Sequence, residues 1–181
     1  MRFEEGNIFF NRIYIIQSLK AQDHKTGNDL LNDIILRRIN KNESAEIKDI
    51  EDSSELFDHL GYIEKNVNNG FIPFIHFETH GYSEGIELAN GDCISWKELV
   101  PQLLKINKKI KNNLFISLAA CKGGNVQFAV KITEPSPFRG FIGPMEDVKG
   151  TDLLNSYQEF FDCLLREYDF EKAINILNLL G

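Results

Sequence analysis

The segment Phe71 to Gly81, FIPFIHFETHG, constrains the fold of this chain more than any other stretch. Its apolar run reads as a buried central strand that runs out into a His80-Gly81 turn. A second apolar strand, LFISLAAC, delivers Cys121 into its own glycine-containing turn, CKGG. Two central strands thus present a histidine and a cysteine at the same edge of one sheet.

The remaining elements can be placed around this pair. NRIYIIQSL, from Asn11 to Leu19, is β-branched and apolar and reads as the first strand. A polar loop from Lys20 to Gly27 follows, and Thr26-Gly27-Asn28-Asp29 offers N-cap chemistry. Leu30, Leu31, Ile34, Ile35 and Ile39 then recur at helical spacing, so strand, loop and helix suggest a βαβ unit. AEIKDI reads as a short edge strand. Ser53 and Ser54 are expected to cap a second helix that carries Leu56, Phe57, Leu60, Ile63 and Val67 and stops at Asn68-Asn69-Gly70. Asn90-Gly91 predicts a hairpin turn between GIEL and CISW. A third helix spans Trp96 to Ile110, with Pro101 tolerated in its first turns.

Beyond Cys121, Gly123-Gly124 is expected to lead into a helix, NVQFAVKI. FRGFIG reads as a further short strand, and Pro144 to Gly150 as a loop. Asp152 is expected to cap a long amphipathic helix, and Phe170 to Leu180 to form the last one. The sum is one domain, residues 1–181, with an α/β fold: a three-layer α/β/α sandwich with a mostly parallel central sheet.

Composition narrows the function. A hydrophobic fraction of 43%, with 14 Phe, is enough for a sizeable core. Lys and Arg number 20 against 27 Asp and Glu, a net charge of −7 that repels phosphate backbones and argues against nucleic acid as a partner. The basic run KINKKIK reads as the solvated face of the third helix. No apolar run approaches the roughly 20 residues needed to span a bilayer, so no membrane partner is expected. MRFEEGNIFF lacks the basic and apolar regions of a signal peptide. Three widely spaced cysteines do not make a disulfide framework. A cytoplasmic protein with free thiols is expected, and a free thiol is a possible nucleophile.

In open α/β sheets, sites form at the carboxyl ends of the strands, where His80 and Cys121 are expected to lie. Attack on a carbonyl requires the thiolate, and an ordinary cysteine with a pKa near about 8.5 is only slightly ionised at neutral pH. A nearby imidazole can take the thiol proton and later protonate a leaving amine. Glycine after each residue permits tight turns and close approach of a substrate backbone. Backbone N–H groups there can hold a developing oxyanion. A rival reading uses the alternation of His76, Glu78 and His80, which places imidazole and carboxylate on one strand face and suits zinc or iron. Cys93 and Cys163 read as packing residues, and His24 and His59 have no motif around them.

HFETHG, then a hairpin and a helix, then LFISLAACKGG, resembles the caspase-like cysteine peptidases of clan CD, and within them the CHAT group. The likeness runs from about Phe9 to Asn178 and includes FRGFIG and the Phe160-Phe161 pair downstream. It implies a caspase-like sandwich in which Cys121 is the nucleophile and His80 the general acid/base. It further implies an oxyanion hole formed by the backbone N–H groups of Gly81 and Cys121. Acidic residues near the pocket of such enzymes often select a basic residue, which makes Glu146 and Asp147 candidates for substrate binding. Ala119 stands where the caspase pattern has Gln two residues before the cysteine, which argues against selection of aspartate. No cofactor and no metal are required. The resemblance suggests a protein substrate and a place in a prokaryotic defence or cell-death system. The chain is compact and reads without an obvious regulatory domain, so control is expected from a regulatory protein partner, from homo-oligomerisation or from a rearranged loop. A catalytically inactive caspase-like scaffold is the alternative.

Overall fold

The computed structural model describes residues 8–131 and 133–180, the last three by their backbone. The first seven residues of the stretch read for a leader, and Ile132 of NVQFAVKI, lie outside the described residues. The strands are β1 (Arg12–Ser18), β2 (Ser44–Asp49), β3 (Pro73–Tyr82), β4 (Gly85–Glu87), β5 (Cys93–Ser95), β6 (Phe115–Ala119) and β7 (Gly140–Ile142). The helices are α1 (residues 26–38), α2 (Ser53–Asn66), α3 (Trp96–Lys109), α4 (Gly150–Glu167) and α5 (Phe170–Leu180).

The strands form one open seven-stranded sheet in a mixed α/β fold. β1 lies between β2 and β3 and runs parallel to both. β3 is also parallel to β6, and β6 to β7. The outer end of β3 instead pairs antiparallel with β4, which pairs antiparallel with β5. Alternation along the central strands builds two cores. Tyr14, Ile16, Ile75, Phe77, Ile116 and Leu118 face a cluster completed by α2 and α3. Ile13, Ile15, Phe74 and Phe115 face the other, completed by α1, α4 and α5. Burial on both faces is why these strands are apolar at nearly every position.

Several local expectations are corrected. His80-Gly81 is not a turn: β3 continues through both residues to Tyr82, because β4 supplies a new ladder there, with His80 opposite Glu87 and Gly81 opposite Ile86. Asp52, rather than Ser53 or Ser54, caps α2, its carboxylate accepting from the Glu55 N–H at 2.9 Å. α4 begins at Gly150 with Lys149 as N-cap, so Asp152 sits inside its first turn, where the helix dipole favours a carboxylate. The segment after Cys121 winds as a 3-10 helix, Gly123–Ala129, not an α-helix. α1 contains a π-helical stretch, Leu30–Ile35, that brings Leu30, Leu31 and Ile35 all into the core.

Candidate active site

A cleft of about 540 Å³ opens at the carboxyl end of the parallel strands. His80 and Cys121 both line it, together with the loop after β1 and the first turn of α4. The strand register explains why both reach the same end of the sheet. β3 and β6 pair in parallel up to Glu78 opposite Ala119. His80 lies two residues past Glu78 on β3, and Cys121 two residues past Ala119, just beyond the end of β6.

Gly81 makes this proximity possible. A Cβ on Gly81 would collide with the Cys121 carbonyl oxygen, and would lie 2.9 Å from the Ala120 Cβ and 3.0 Å from the Cys121 nitrogen. The glycine therefore serves a close approach between two backbones, not a bend in the chain. On the other strand the bend falls on Lys122, which adopts the left-handed conformation at φ 58° directly after Cys121. The two backbones expected to supply oxyanion donors, those of Gly81 and Cys121, thus touch beside the cleft.

His80 has a partner that the sequence reading missed. Asp23 Oδ2 lies 2.7 Å from His80 Nε2. Asp23 sits on the loop that follows β1 and also accepts from the Lys20 N–H at 3.0 Å. The hydrogen bond from His80 holds the Asp23 carboxyl below its usual range, and the Lys20 N–H adds to this. With Nε2 engaged by Asp23, Nδ1 is the ring nitrogen left for other chemistry. The Cys121 thiol donates to the Val148 carbonyl at 3.6 Å, so Val148, in the loop before α4, lies against the sulfur.

His76 and Glu78 belong to a different arrangement. His76 is fully buried, with Tyr157 and Phe161 packed edge-on against its ring. Its Nδ1 lies 2.6 Å from Ser117 Oγ and its Nε2 lies 3.0 Å from Glu78 Oε1. Both ring nitrogens are thus satisfied inside the protein, while His80 turns to Asp23. Among the described residues, no three His, Cys, Asp or Glu side chains form a group that could hold a metal ion.

Glu146 and Asp147 are exposed on the loop before α4 and are not among the residues lining the cleft. The Asp147 carboxylate lies 3.3 Å from Lys122 Nζ, and the Glu146 carbonyl accepts from the Lys122 N–H at 3.2 Å. The carboxylates that do line the cleft are Asp23 and Glu78. His24 lines its outer part and pairs with Asp29 at 2.5 Å. His59 stacks on Tyr62 on α2, and burial depresses its pKa. Cys163 packs in the core, where burial pushes its thiol up. Cys93 is exposed on β5 and not packed, because its edge-strand position leaves that side chain uncovered.

The fold and cleft define an α/β protein with a thiol, an imidazole and a carboxylate at one end of its sheet. No protein-family model matches the chain, and no curated protein matches it in sequence.

Proposed function

We propose that this chain is a caspase-like cysteine endopeptidase of the CHAT type that cleaves a protein substrate. The observation that carries the reading is the placing of His80 and Cys121 in one cleft by neighbouring parallel strands, with Asp23 hydrogen-bonded to Nε2 of the imidazole. In this mechanism His80 takes the Cys121 proton, and the thiolate attacks the scissile carbonyl carbon. The carbonyl π electrons move to oxygen, and the backbone N–H groups of Gly81 and Cys121 receive that oxyanion. Collapse breaks the C–N bond as His80 gives its proton to the departing amine. Water, deprotonated by His80, then hydrolyses the thioester and releases the acid and the thiol. Asp23 fixes the ring and favours the imidazolium formed in each half.

The reaction as written needs no cofactor. Glu146 and Asp147 would select a basic residue in a substrate that reaches over the loop before α4. Control by a regulatory partner or homo-oligomer, a cytoplasmic site of action and a role in prokaryotic defence belong to the same reading. The bond from the Cys121 thiol to Val148 favours a second one, a catalytically inactive caspase-like scaffold that binds a partner.

Alkylation rates of each cysteine against pH, followed by peptide mapping in wild type and His80→Ala, separate the two. The peptidase reading expects Cys121 to react fastest below pH 7 and to lose that advantage in the variant. A Cys121 that reacts like an ordinary thiol in both proteins overturns it.

A further inference from the structure

Four side chains form an unbroken polar chain that runs from the cleft wall into the sheet, and none of them takes a direct part in the chemistry proposed above. With His76 protonated at Nε2, Ser117 Oγ donates to His76 Nδ1 at 2.6 Å and His76 Nε2 donates to Glu78 Oε1 at 3.0 Å. Thr26 Oγ1 donates to Glu78 Oε2 at 2.7 Å. Ser117 and His76 are fully buried, and Glu78 is only 4% exposed. A carboxylate placed so deep is costly unless its oxygens are held by donors. Here one oxygen is held from within the sheet and the other from outside it.

The outside donor is Thr26, the first residue of α1, immediately after the loop that carries Asp23. A second buried tie lies beside it. The Gly27 N–H donates to Gln17 Oε1 at 2.9 Å, and Gln17 is itself fully buried on β1. A Cβ on Gly27 would sit 2.9 Å from that oxygen and 3.1 Å from Ile15 and Ile47, so the head of α1 is pressed against the sheet. The other end of the loop is held where Lys25 Nζ donates to the Leu19 carbonyl at 2.8 Å. Between these anchors Asp23 faces His80.

His80 and Glu78 lie two residues apart on β3 and so share a face. One strand therefore positions both the imidazole and the carboxylate that anchors the imidazole's partner loop. We infer that Glu78 and Thr26 are positioning residues: their hydrogen bond fixes the head of α1 and thereby sets Asp23 against His80. The inference rests on the peptidase reading for its purpose, but not for its test.

The test compares wild type, Asp23→Ala, Thr26→Val, Thr26→Ser and the Asp23→Ala/Thr26→Val double variant. Thr26→Val removes the hydroxyl donor from a partly exposed residue and keeps Glu78 with its bond to His76, and thermal melts confirm that each protein is folded. The first readout is the titration of the Asp23 carboxyl by carbon NMR. In Thr26→Val its midpoint rises towards the ordinary carboxylate value of about 3.9, and Thr26→Ser keeps the wild-type midpoint. The second readout is the pH profile of Cys121 alkylation. Thr26→Val reduces the rate below pH 7 in the same sense as Asp23→Ala, and the double variant is no slower than Asp23→Ala alone.

An unchanged Asp23 midpoint in Thr26→Val overturns the inference. So does a double variant whose loss is the product of the two single losses. If the Asp23 midpoint moves while Cys121 alkylation ignores His80→Ala, the positioning contact stands and the peptidase reading falls.

Discussion

Asp23 Oδ2 and His80 Nε2 lie 2.7 Å apart although 57 positions separate them in the chain. The contact lowers the Asp23 pKa. A depressed carboxyl contributes stability that is present above its unfolded value of about 3.9 and is lost as pH falls through the folded value. Asp23→Asn removes that contribution. Urea midpoints measured from pH 6 down to pH 2 are expected to fall more steeply in wild type than in the variant, with the two curves converging at the acid end. The difference is small and shrinks in high salt, because the His80 side chain is 44% exposed. Parallel curves at every pH would remove the contact from the account.

Gly81 tolerates no side chain where it stands. Gly81→Ala places a methyl group against the Cys121 carbonyl and amide, which are backbone and cannot swing aside. The expected cost is about 1–3 kcal/mol in chemical denaturation. Cys121 alkylation should change as well, since the two strands must separate at that point. A variant with wild-type stability and wild-type Cys121 reactivity would show that the two backbones do not approach closely there.

What the sequence disclosed follows from burial. β3 and β6 are apolar on both faces, so FIPFIHFETHG and LFISLAAC stand out, and the residues at their ends come with them. Asp23 did not stand out. It sits in a polar loop with no motif, and its partner is remote in sequence. The available signal was topological: the loop after the first strand leaves the same edge of the sheet as His80 and Cys121, so a carboxylate there was worth considering. The role of Gly81 was misread because a glycine after a strand suggests a turn, whereas here it serves contact with another backbone. The cap of α2 lies one or two residues, and that of α4 three residues, before the expected position, because Asp52, Ser53 and Ser54 are all competent caps and Asp152 is as favourable in a first turn as at a cap.

His76 is expected to matter for stability whether or not the cleft is catalytic. His76→Leu preserves the packing against Tyr157 and Phe161 but leaves the Ser117 hydroxyl and one Glu78 oxygen without their partner. Each stranded group costs about 1–3 kcal/mol. The variant should therefore unfold at least about 2 kcal/mol more easily. Adding Ser117→Ala should cost less than it does alone, because the hydroxyl no longer has a partner to lose. Purely additive losses would mean that the two side chains are not coupled.

The segment from Pro144 to Lys149 meets the Cys121 sulfur through the Val148 carbonyl, and Gly124 packs against its start. The Gly124 N–H donates to the Pro144 carbonyl at 2.8 Å, and Gln127 Nε2 reaches the Met145 sulfur at 3.4 Å. These bonds tie down the start of the segment that carries Val148, whose carbonyl accepts from the Cys121 thiol. A Cβ on Gly124 would lie 2.5 Å from the Met145 sulfur, 2.9 Å from the Gly143 carbonyl oxygen and 3.2 Å from that of Pro144. The methionine tip can move, but the two carbonyls belong to the backbone. Gly124→Ala should therefore wedge the segment away from Cys121. The expected result is a larger gain in Cys121 labelling with a bulky maleimide than with iodoacetamide, while labelling of exposed Cys93 stays the same with both reagents. An equal gain with both reagents at Cys121 would indicate general loosening of the fold. No gain with either would show that the segment does not limit access to the thiol.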